Sequence, residues 1–336
     1  MNPIPLSAKF SNDSLSTWCS SVAKDDDGMF HLYYSTWPKR LGWAWVTDSK
    51  VSHAVAKSQY GPYKFADVAL PVRGAQYWDG LCTHNPTIHK FGKKYYLYYM
   101  GNTGDGINPN GDNKAIENLN WTHRNNQRIG VAISDSPYGP WKRFDQPLVD
   151  VSKDSTAMDA LAVNNPAVAQ GPDGRYLMVY KAIGRKRPLP FGGPVVHMVA
   201  FADHPAGPFK KYAQPVFTVK GNDFPAEDPY IWYQAGKYRA IVKKMENDKN
   251  GKEDAMLVQY ESANGLDWVQ SKQAIISDKT ITWVNERVQK LTHLERPQLY
   301  IENGKPVTLL CAGDTLDAKG VRQTFNVQIP ISVTEK

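Results

Sequence analysis

Residues 85–101 read NPTIHKFGKKYYLYYMG, an apolar run, a polar turn with Gly, and a second run rich in Tyr and Leu. Alternating β-branched and aromatic residues on both sides of such a turn are typical of a β-hairpin. The same form recurs as SSVAKDDDGMFHLYYST (20–36), NPAVAQGPDGRYLMVYKAIG (165–184), DPYIWYQAGKYRAIVKKM (228–245) and RPQLYIENGKPVTLLCAG (296–313). The sequence therefore predicts five related hairpins.

A second pair of strands follows four of these hairpins. These pairs read VSHAVAKSQYGPYKF (51–65), RIGVAISDSPYGPWKRF (128–144), VHMVAFADHPAGPFKKY (196–212) and AMLVQYESANGLDWVQ (255–270). The fifth unit ends with TFNVQIPI (324–331), so we expect the N-terminal tail to complete it. Five widely spaced repeats of two hairpins predict an all-β fold, a five-bladed β-propeller of four-stranded antiparallel blades, as a single domain over residues 1–336. A two-domain β-sandwich, the alternative, does not explain five repeats.

The first strand of each propeller blade runs along the central channel, so residues at its entrance converge. Four hairpins carry Pro at their second position, and Ser21 takes that place in the first. The residues just before it are Ser20, Asn85, Asn165, Asp228 and Arg296, preceded by Cys19, His84, Asn164, Glu227 and Glu295. Strand capping explains some of this polarity, but so many ionisable and amide groups at equivalent positions predict an axial functional site.

Composition limits the classes of partner. The net charge is +7 with a pI near 9.0, but the basic residues are dispersed. We therefore expect no nucleic-acid partner, whereas a polysaccharide or oligosaccharide with anionic groups fits the charge.

Three scattered cysteines predict neither a disulfide framework nor a zinc site. No apolar run is long enough for a membrane span, and the start lacks a secretory signal. A cytoplasmic protein and a secreted one without its leader both remain open, as does the oligomeric state, a dimer included.

Crowded carboxylates suit glycoside hydrolysis, in which one carboxylic acid protonates the leaving oxygen and one carboxylate activates water or attacks the anomeric carbon. The fivefold repeat, the D-P and E-x-P strand entries and the GPW and GPF turns resemble propeller hydrolases of glycoside hydrolase families 43, 32 and 117. The segments WCSSVAKDDDGMFHLYYSTWPK (18–39), RGAQYWDGLCTHNPTI (73–88) and LERP (294–297) resemble family-43-like proteins of polysaccharide degradation. The resemblance implies an inverting hydrolase for arabinofuranose, galactose or 3,6-anhydrogalactose, and the long insertion between Gly101 and Arg128, expected to form a wall over the sugar pocket, favours exo action on a terminal sugar.

The resemblance also implies catalytic residues. In family 43 the base is an Asp before Pro in the first blade, where this chain has Cys19 and Ser20. Moving the set one blade along, as in family 117, makes Asp79 the base, Asp228 the residue that tunes the acid, and Glu295 the acid. Glu227 is the other candidate for the acid, and His293 is a third.

Further residues are predicted to bind the sugar. Trp37, Trp78 and Trp121 offer aromatic faces, and the long insertion between Gly101 and Arg128 is expected to form a wall over the pocket. The other predicted contacts are polar: His84, Asn85, Asn165, Arg296, Arg73 and Lys181. No cofactor is required and no metal ligand is assigned, although a divalent cation such as Ca²⁺ beside His84 is considered.

Two other functions remain open. The missing first-blade Asp is compatible with a carbohydrate-binding propeller that lacks catalysis. A glycoside phosphorylase would need a basic phosphate pocket at the axis, which Arg296 and Lys181 do not exclude.

Overall fold

The computed structural model describes residues 1–42, 44–107, 119–245 and 255–332. Its strands form five antiparallel sheets arranged as a five-bladed β-propeller, so the predicted fold is confirmed. No helix among the described residues is long and apolar enough to cross a membrane.

The blades follow one another along the chain. Blade 1 contains β2 (Leu15–Lys24), β3 (Phe30–Pro38), β4 (Lys50–Ala56) and β5 (Lys64–Leu70), and blade 2 contains β6 (Cys82–Phe91), β7 (Lys94–Asn102) and β8 (Arg128–Ser134). Blade 3 contains β9 (Ala162–Gln170), β10 (Tyr176–Ile183), β11 (Val195–Ala202) and β12 (Lys210–Lys211). Blade 4 contains β13 (Ala226–Gln234), β14 (Lys237–Lys244), β15 (Met256–Ser262) and β16 (Val269–Ser277). Blade 5 contains β19 (His293–Glu302), β20 (Lys305–Leu316), β21 (Arg322–Pro330) and β1 (Lys9–Phe10).

Short elements connect the blades. A separate hairpin of β17 (Thr280–Thr282) and β18 (Val288–Lys290) lies between blades 4 and 5 in the sequence. Helices α1 (Trp45–Asp48) and α2 (Trp121–Asn125) are one turn long, and 3₁₀ turns cover Leu6–Ala8 and Lys39–Leu41. Elements of this length are too short to leave a helical period in the sequence.

Blade 2 departs from the predicted four strands. The segment expected to supply its fourth strand makes only isolated bridges, from Lys142 to Ile133 and from Val149 to Ile129. Pro140 and Pro147 lie in this segment, and proline has no N–H to donate to a sheet ladder. The fourth strand is therefore reduced to these bridges.

The N-terminal tail closes the ring of blades, as expected. In β1, Lys9 lies opposite Val327 and Phe10 opposite Asn326, which makes β1 the outer strand of blade 5. Ile4 is 1% exposed and packs with Trp283 in the core cluster of blades 4 and 5. Because apolar clusters such as this one fill the space between neighbouring blades, the five first strands are held around a common axis.

Candidate functional site at the propeller axis

Each first strand carries a β-bulge at the same position. Pairing with the second strand skips two residues after Trp18, His84, Asn164, Glu227 and Glu295. The first skipped residue has a positive φ in every blade: 54° at Cys19, 53° at Asn85, 51° at Asn165, 55° at Asp228 and 55° at Arg296. Bulges with a left-handed residue re-aim side chains and are frequent beside active sites.

The bulge corrects the alignment of the first blade. Cys19, rather than the Ser20 that the sequence pattern suggested, is the equivalent of Asn85 and its counterparts. Trp18, rather than Cys19, is then the equivalent of His84. The axial residues form two tiers, which we call the lower tier (Cys19, Asn85, Asn165, Asp228, Arg296) and the upper tier (Trp18, His84, Asn164, Glu227, Glu295).

The lower tier is a chain of hydrogen bonds around the axis. Cys19 donates to Asn85 Oδ1, and the Asn85 amide donates to Asn165 Oδ1. Asn165 Nδ2 donates to Asp228 Oδ1 at 2.9 Å, and Arg296 Nη1 donates to the same oxygen at 3.0 Å. All five side chains are buried, so the tier links the five blades through polar contacts shielded from solvent.

Asp228 is the point at which these donors meet. Besides the two side-chain donors, the backbone N–H of Arg296 donates to its Oδ2 at 3.3 Å. Burial raises the pKa of Asp228, and the charges of Glu227 and Glu295 raise it further, against the opposing effect of Arg296. Negative charge is therefore crowded at the floor of the axis.

The upper tier carries two carboxylates from adjacent blades. Lys243 Nζ lies 2.6 Å from Glu295 Oε1 and 3.4 Å from Glu227 Oε2, so the two carboxyl groups are at most two hydrogen-bond lengths apart at these oxygens. Lys181 forms a second ion pair with Glu227. The two lysines face the axis because each lies opposite an upper-tier residue. Lys181 on β10 pairs with Asn164 on β9, and Lys243 on β14 pairs with Glu227 on β13.

The lysines determine the charge state of Glu227. Burial alone would raise its pKa, but Lys181 and Lys243 outweigh burial and hold the pKa of Glu227 well below its usual value. Burial likewise would lower the pKa of Lys243, but Glu295, Glu227 and Asp228 raise it well above the ordinary value. Glu227 is therefore ionised and Lys243 protonated at neutral pH.

A cavity of about 310 Å³ opens above these groups. Its lining includes the whole upper tier, four members of the lower tier, and Lys181 and Lys243. Its walls are mainly aromatic and apolar: Trp18, Trp37, Trp45, Leu119, Trp121, Phe191, Val195, Phe224 and Met245. This volume is at the lower end of the range for small-ligand pockets. With its aromatic walls and few polar groups, the cavity suits one or two sugar rings.

Most of the predicted site residues meet in this cavity. The structure places eleven of them in its lining: Asp228, Glu295, Glu227, His84, Asn85, Asn165, Arg296, His293, Trp37, Lys181 and Trp121. The insertion after Gly101 contributes helix α2 with Trp121, while its residues 108–118 lie outside the described part of the chain. Most of the residues that the sequence predicts for the site therefore line this one cavity.

His84 lies between two tryptophans rather than among acidic ligands. Its ring centre is 5.2 Å from that of Trp45 and 5.7 Å from that of Trp37, and its Nδ1 lies 2.7 Å from Ser49 Oγ. Burial, assisted by the charge of Arg296, lowers the pKa of His84 well below its usual value. The described residues contain no group of three His, Cys, Asp or Glu side chains suited to a metal ion. The divalent cation considered beside His84 gains no support from these neighbours.

His293 is held at the rim by a carboxylate. Its Nδ1 lies 2.9 Å from Asp314 Oδ1, and Arg322 pairs with the other oxygen of Asp314. Arg322 also lies over the ring of Trp18, at 4.9 Å from the ring centre. This arrangement fixes the orientation of the His293 ring beside the upper tier.

Asp79, the predicted base, does not reach the cavity. It is 0% exposed, accepts a hydrogen bond from Tyr99 at 2.6 Å, and pairs with Arg73 at 2.6 Å and Arg143 at 3.4 Å. Arg73 and Trp78 accompany it outside the cavity, since the Trp78 ring stacks on Tyr99 at 5.8 Å. The catalytic role assigned to Asp79 and the sugar contacts assigned to Arg73 and Trp78 therefore disagree with their positions.

Blade 3 shows what Asp79 does. Asp159 precedes Asn165 by the same interval at which Asp79 precedes Asn85, in MDALAVNNP and WDGLCTHNP respectively. Asp159 is also buried and contacts a blade tyrosine and a cation, Tyr180 and Lys211. A repeated buried carboxylate with a tyrosine and a cation is an anchor of the loop before the first strand.

Several cavity residues were not predicted as site residues. Lys243 is the most important, because it joins the two upper-tier carboxylates. Gln127 enters the cavity just after α2, and Phe191 enters from the loop after β10. Arg124 of α2 belongs to the insertion predicted to form a wall over the pocket, but no sugar contact was predicted for it. Lys243 occupies the position in DPYIWYQAGKYRAIVKKM that Lys181 occupies in the third repeat. Alignment of these two repeats could therefore have identified Lys243 as a residue near the axis.

Comparisons with known proteins agree on the fold. No protein-family model and no curated protein sequence matches this chain. Among solved structures it is similar to a family 117 glycoside hydrolase from the marine bacterium Zobellia galactanivorans, with a TM-score of 0.62, 17% identity, and coverage of 99% of this chain and 91% of that one. It is also similar to an endo-arabinase from Bacteroides thetaiotaomicron, with a TM-score of 0.59, 14% identity, and coverage of 100% and 99%. A Bacillus subtilis arabinanase matches with a TM-score of 0.59, 14% identity and 95% coverage of both chains.

The position of Asp79 predicts the outcome of Asp79→Asn. The neutral side chain leaves Arg73 and Arg143 without their buried counter-charge, so we expect a loss of about 3 kcal/mol in the free energy of unfolding, measured by denaturant titration. Ligand affinity at the cavity should be unchanged. Equal stability of Asp79→Asn and the wild type would contradict the anchoring role.

The pKa of Glu227 predicts a pH-dependent effect of Glu227→Gln. Because the folded state depresses this pKa, ionised Glu227 contributes stability that is fully present above its unfolded value of 4.5 and is lost progressively as pH falls from there to the depressed pKa of the folded state. We expect Glu227→Gln to lower the melting temperature clearly at about pH 7 and by a smaller amount at about pH 3.5.

A matched control is Glu302→Gln, which removes an exposed ion pair with Lys24. It should change the melting temperature little at either pH. A deficit of Glu227→Gln that stays constant as the pH falls would contradict the assigned charge state.

Proposed function

We propose that this chain is a glycoside hydrolase whose catalytic carboxylates are Glu227 and Glu295. The observation that carries the proposal is their geometry: two carboxylates from adjacent blades, bridged by Lys243, face an aromatic cavity on the propeller axis. A pair of carboxyl groups at one site is the arrangement that glycosidic bond cleavage requires. The shared fold with a family 117 glycoside hydrolase and with arabinanases supports the same chemistry.

The two glutamates take different roles. Glu227, kept ionised by Lys181 and Lys243, acts as the base that takes a proton from the attacking water. Glu295 acts as the acid that protonates the leaving glycosidic oxygen. Asp228 lies in the tier below both, and it keeps the tuning role predicted for it.

Substrate binding must rearrange Lys243. Lys243 Nζ lies 2.6 Å from Glu295 Oε1, so this lysine must move before the Glu295 carboxyl group can reach a glycosidic oxygen. A sugar hydroxyl that accepts a hydrogen bond from Lys243 draws it away from Glu295, which takes up the catalytic proton from solvent. Lys243 thereby couples occupation of the cavity to protonation of the acid.

The cavity walls suit a terminal sugar. Trp121 on α2 and Phe191 from blade 3 meet at a ring-centre distance of 5.9 Å on one side, and Trp37 and Trp45 enclose His84 on another. Such walls favour a pocket for a chain end, so we propose exo action on arabinofuranose, galactose or 3,6-anhydrogalactose termini.

The Lys243 bridge holds one carboxyl oxygen of Glu227 and one of Glu295 closer together than the ~6.5–9.5 Å that is usual in inverting enzymes. Inversion therefore rests only on the resemblance to families 43 and 117, and NMR of the first anomer released tests it against retention.

One observation favours a second function. The first-blade axial residue is Cys19, and burial raises the pKa of its thiol well above the usual value, so it is a neutral thiol where a family 43 enzyme has its base. A propeller without that base fits a carbohydrate-binding protein that performs no hydrolysis.

Glycoside turnover separates these functions and tests both roles. On oligosaccharides we expect Glu227→Gln and Glu295→Gln each to lower kcat by roughly 10²–10⁴-fold. On aryl glycosides with an acidic phenol as leaving group, Glu295→Gln should recover most of its activity because that phenolate departs without a proton. Glu227→Gln should stay impaired on both.

Glu302→Gln, on the same strand as Glu295 but exposed at its far end, is the matched control and should keep wild-type rates. Sugar binding without turnover of any glycoside would support the carbohydrate-binding function instead. Turnover that requires phosphate and releases a sugar 1-phosphate would identify a phosphorylase.

A further inference from the structure

The cations that line the cavity differ in their partners. Lys181, Lys243 and Arg296 each pair with a carboxylate of the two tiers, and Arg322 pairs with Asp314. Arg124 also lines the cavity, but it has no carboxylate within ion-pair distance among the described residues. The proposed catalytic chemistry gives this arginine no role.

Arg124 is buried and rigidly held. It is 7% exposed, and its Nη1 donates to the carbonyl oxygen of Phe191 at 2.6 Å and to Asn125 Oδ1 at 2.9 Å. The guanidinium carbon lies 5.1 Å from the ring centre of Phe191 and 5.4 Å from that of Trp121. Burial lowers the pKa of Arg124 to about 10 against the opposing effect of the charge of Glu227, so the group stays charged at neutral pH.

Burying the charged guanidinium of Arg124 is energetically unfavourable unless an anion lies beside it. Removing a cation from water is unfavourable unless an opposite charge compensates it, and the charge of Glu227 acts on Arg124 only from beyond ion-pair distance. Two carbonyl oxygens satisfy Nη1 only, and within the described residues Nε and Nη2 make no hydrogen bond. Two donors in a fixed fork therefore remain for a ligand in the cavity.

Two amides that line the same cavity as Arg124 are also incompletely bonded. Gln127 and Asn164 are 1% and 3% exposed and line the same cavity. Asn164 donates to Gln127 Oε1, which leaves Gln127 Nε2 and Asn164 Oδ1 buried without a partner in the described structure. Turning both amides over exchanges the atoms but still leaves one donor and one acceptor unpaired.

We propose that Arg124, Gln127 and Asn164 form a subsite for an anionic substituent of the bound sugar, a uronic acid carboxylate or a sulfate ester. The guanidinium fork matches two oxygens of such a group, which lysine cannot match in the same plane. The free amide donor binds a further oxygen, and the free amide acceptor binds a ring hydroxyl. The lining supports an acidic ligand overall, since five cations there face three carboxylates.

The subsite deepens the proposed function, because it makes the substrate of the hydrolase an acidic glycan. It explains why the wall formed by α2 places a cation, rather than an apolar side chain alone, above the upper tier. Binding and turnover are separate measurements, so the subsite and the hydrolase activity can fail independently.

The test is calorimetric titration with matched sugars: galacturonate and galactose 6-sulfate against galactose, and glucuronate against glucose. We expect at least one acidic sugar to bind about tenfold or more tightly than its neutral partner, the effect of one charge-assisted hydrogen bond. Whether the carboxylate or the sulfate benefits identifies the source of the anion. The preference should weaken at high salt.

Arg124→Gln should weaken binding of the acidic sugar more than binding of the neutral sugar, so that the preference is lost, and Arg124→Lys should restore only part of it. Arg175→Gln, which removes an exposed arginine paired with Asp173 at the opposite end of the blade 3 hairpin, is the charge-matched control and should retain the preference. Melting temperatures show whether each variant is folded.

Equal affinity for acidic and neutral sugars, or no binding of any acidic sugar, would overturn the subsite. A preference that survives in Arg124→Gln would overturn the assignment to Arg124. If glycosides are hydrolysed but Arg124→Gln changes nothing, the subsite fails and the hydrolase stands. If acidic sugars bind through Arg124 but no glycoside is cleaved, the subsite stands and the hydrolase fails.

Discussion

The buried chain of hydrogen bonds from Cys19 through Asn85 and Asn165 to Asp228, closed by Arg296, is the constraint on which the site depends. Each member has a left-handed backbone that a non-glycine residue adopts only when its surroundings compensate the strain. The bulges that produce this backbone turn one side chain per blade towards the axis and lift the preceding one into the cavity. The upper tier is thus a geometric consequence of the lower one.

The charges follow from the same arrangement. Glu227 and Glu295 enter from adjacent blades because each directly precedes a bulge, and both would repel Asp228 if no cation intervened. Lys243 on the second strand of blade 4 supplies that cation and keeps the carboxylates together. The pair Glu227 and Glu295 therefore depends on Lys243, which lies one strand away from the axis. In the proposed chemistry, Lys243 leaves Glu295 when a sugar binds.

The sequence was sufficient for the blades because a hairpin carries its signal locally. The alternation and turn within residues 85–101 correspond to β6 and β7, and the recurrence of that pattern gave the number of blades. Convergence of the polar entries followed from propeller geometry, and eleven predicted residues line the cavity. The weakened fourth strand of blade 2 was missed because Pro140 and Pro147 remove donors from a segment whose apolar pattern is otherwise strand-like.

The errors at the site arise where the bulge interrupts strand alternation. Cys19-Ser20 lacks the proline that marks the bulge elsewhere, so the first blade was aligned one residue late. Lys243 was missed because the face of a strand residue depends on register with its bulged neighbour. The family arrangement alone points to Asp79 as the base, whereas its counterpart Asp159 in blade 3 indicates a role that two blades share.

The central claim is that a glycosidic bond is cleaved between Glu227 and Glu295 above Asp228. A crystal structure of the Glu295→Gln variant with an uncleaved oligosaccharide tests it most directly. The claim predicts the anomeric carbon of the terminal sugar between residues 227 and 295, with the glycosidic oxygen within hydrogen-bonding distance of the residue 295 amide. An oligosaccharide bound away from the axis, or one whose scissile oxygen faces neither residue, would contradict it.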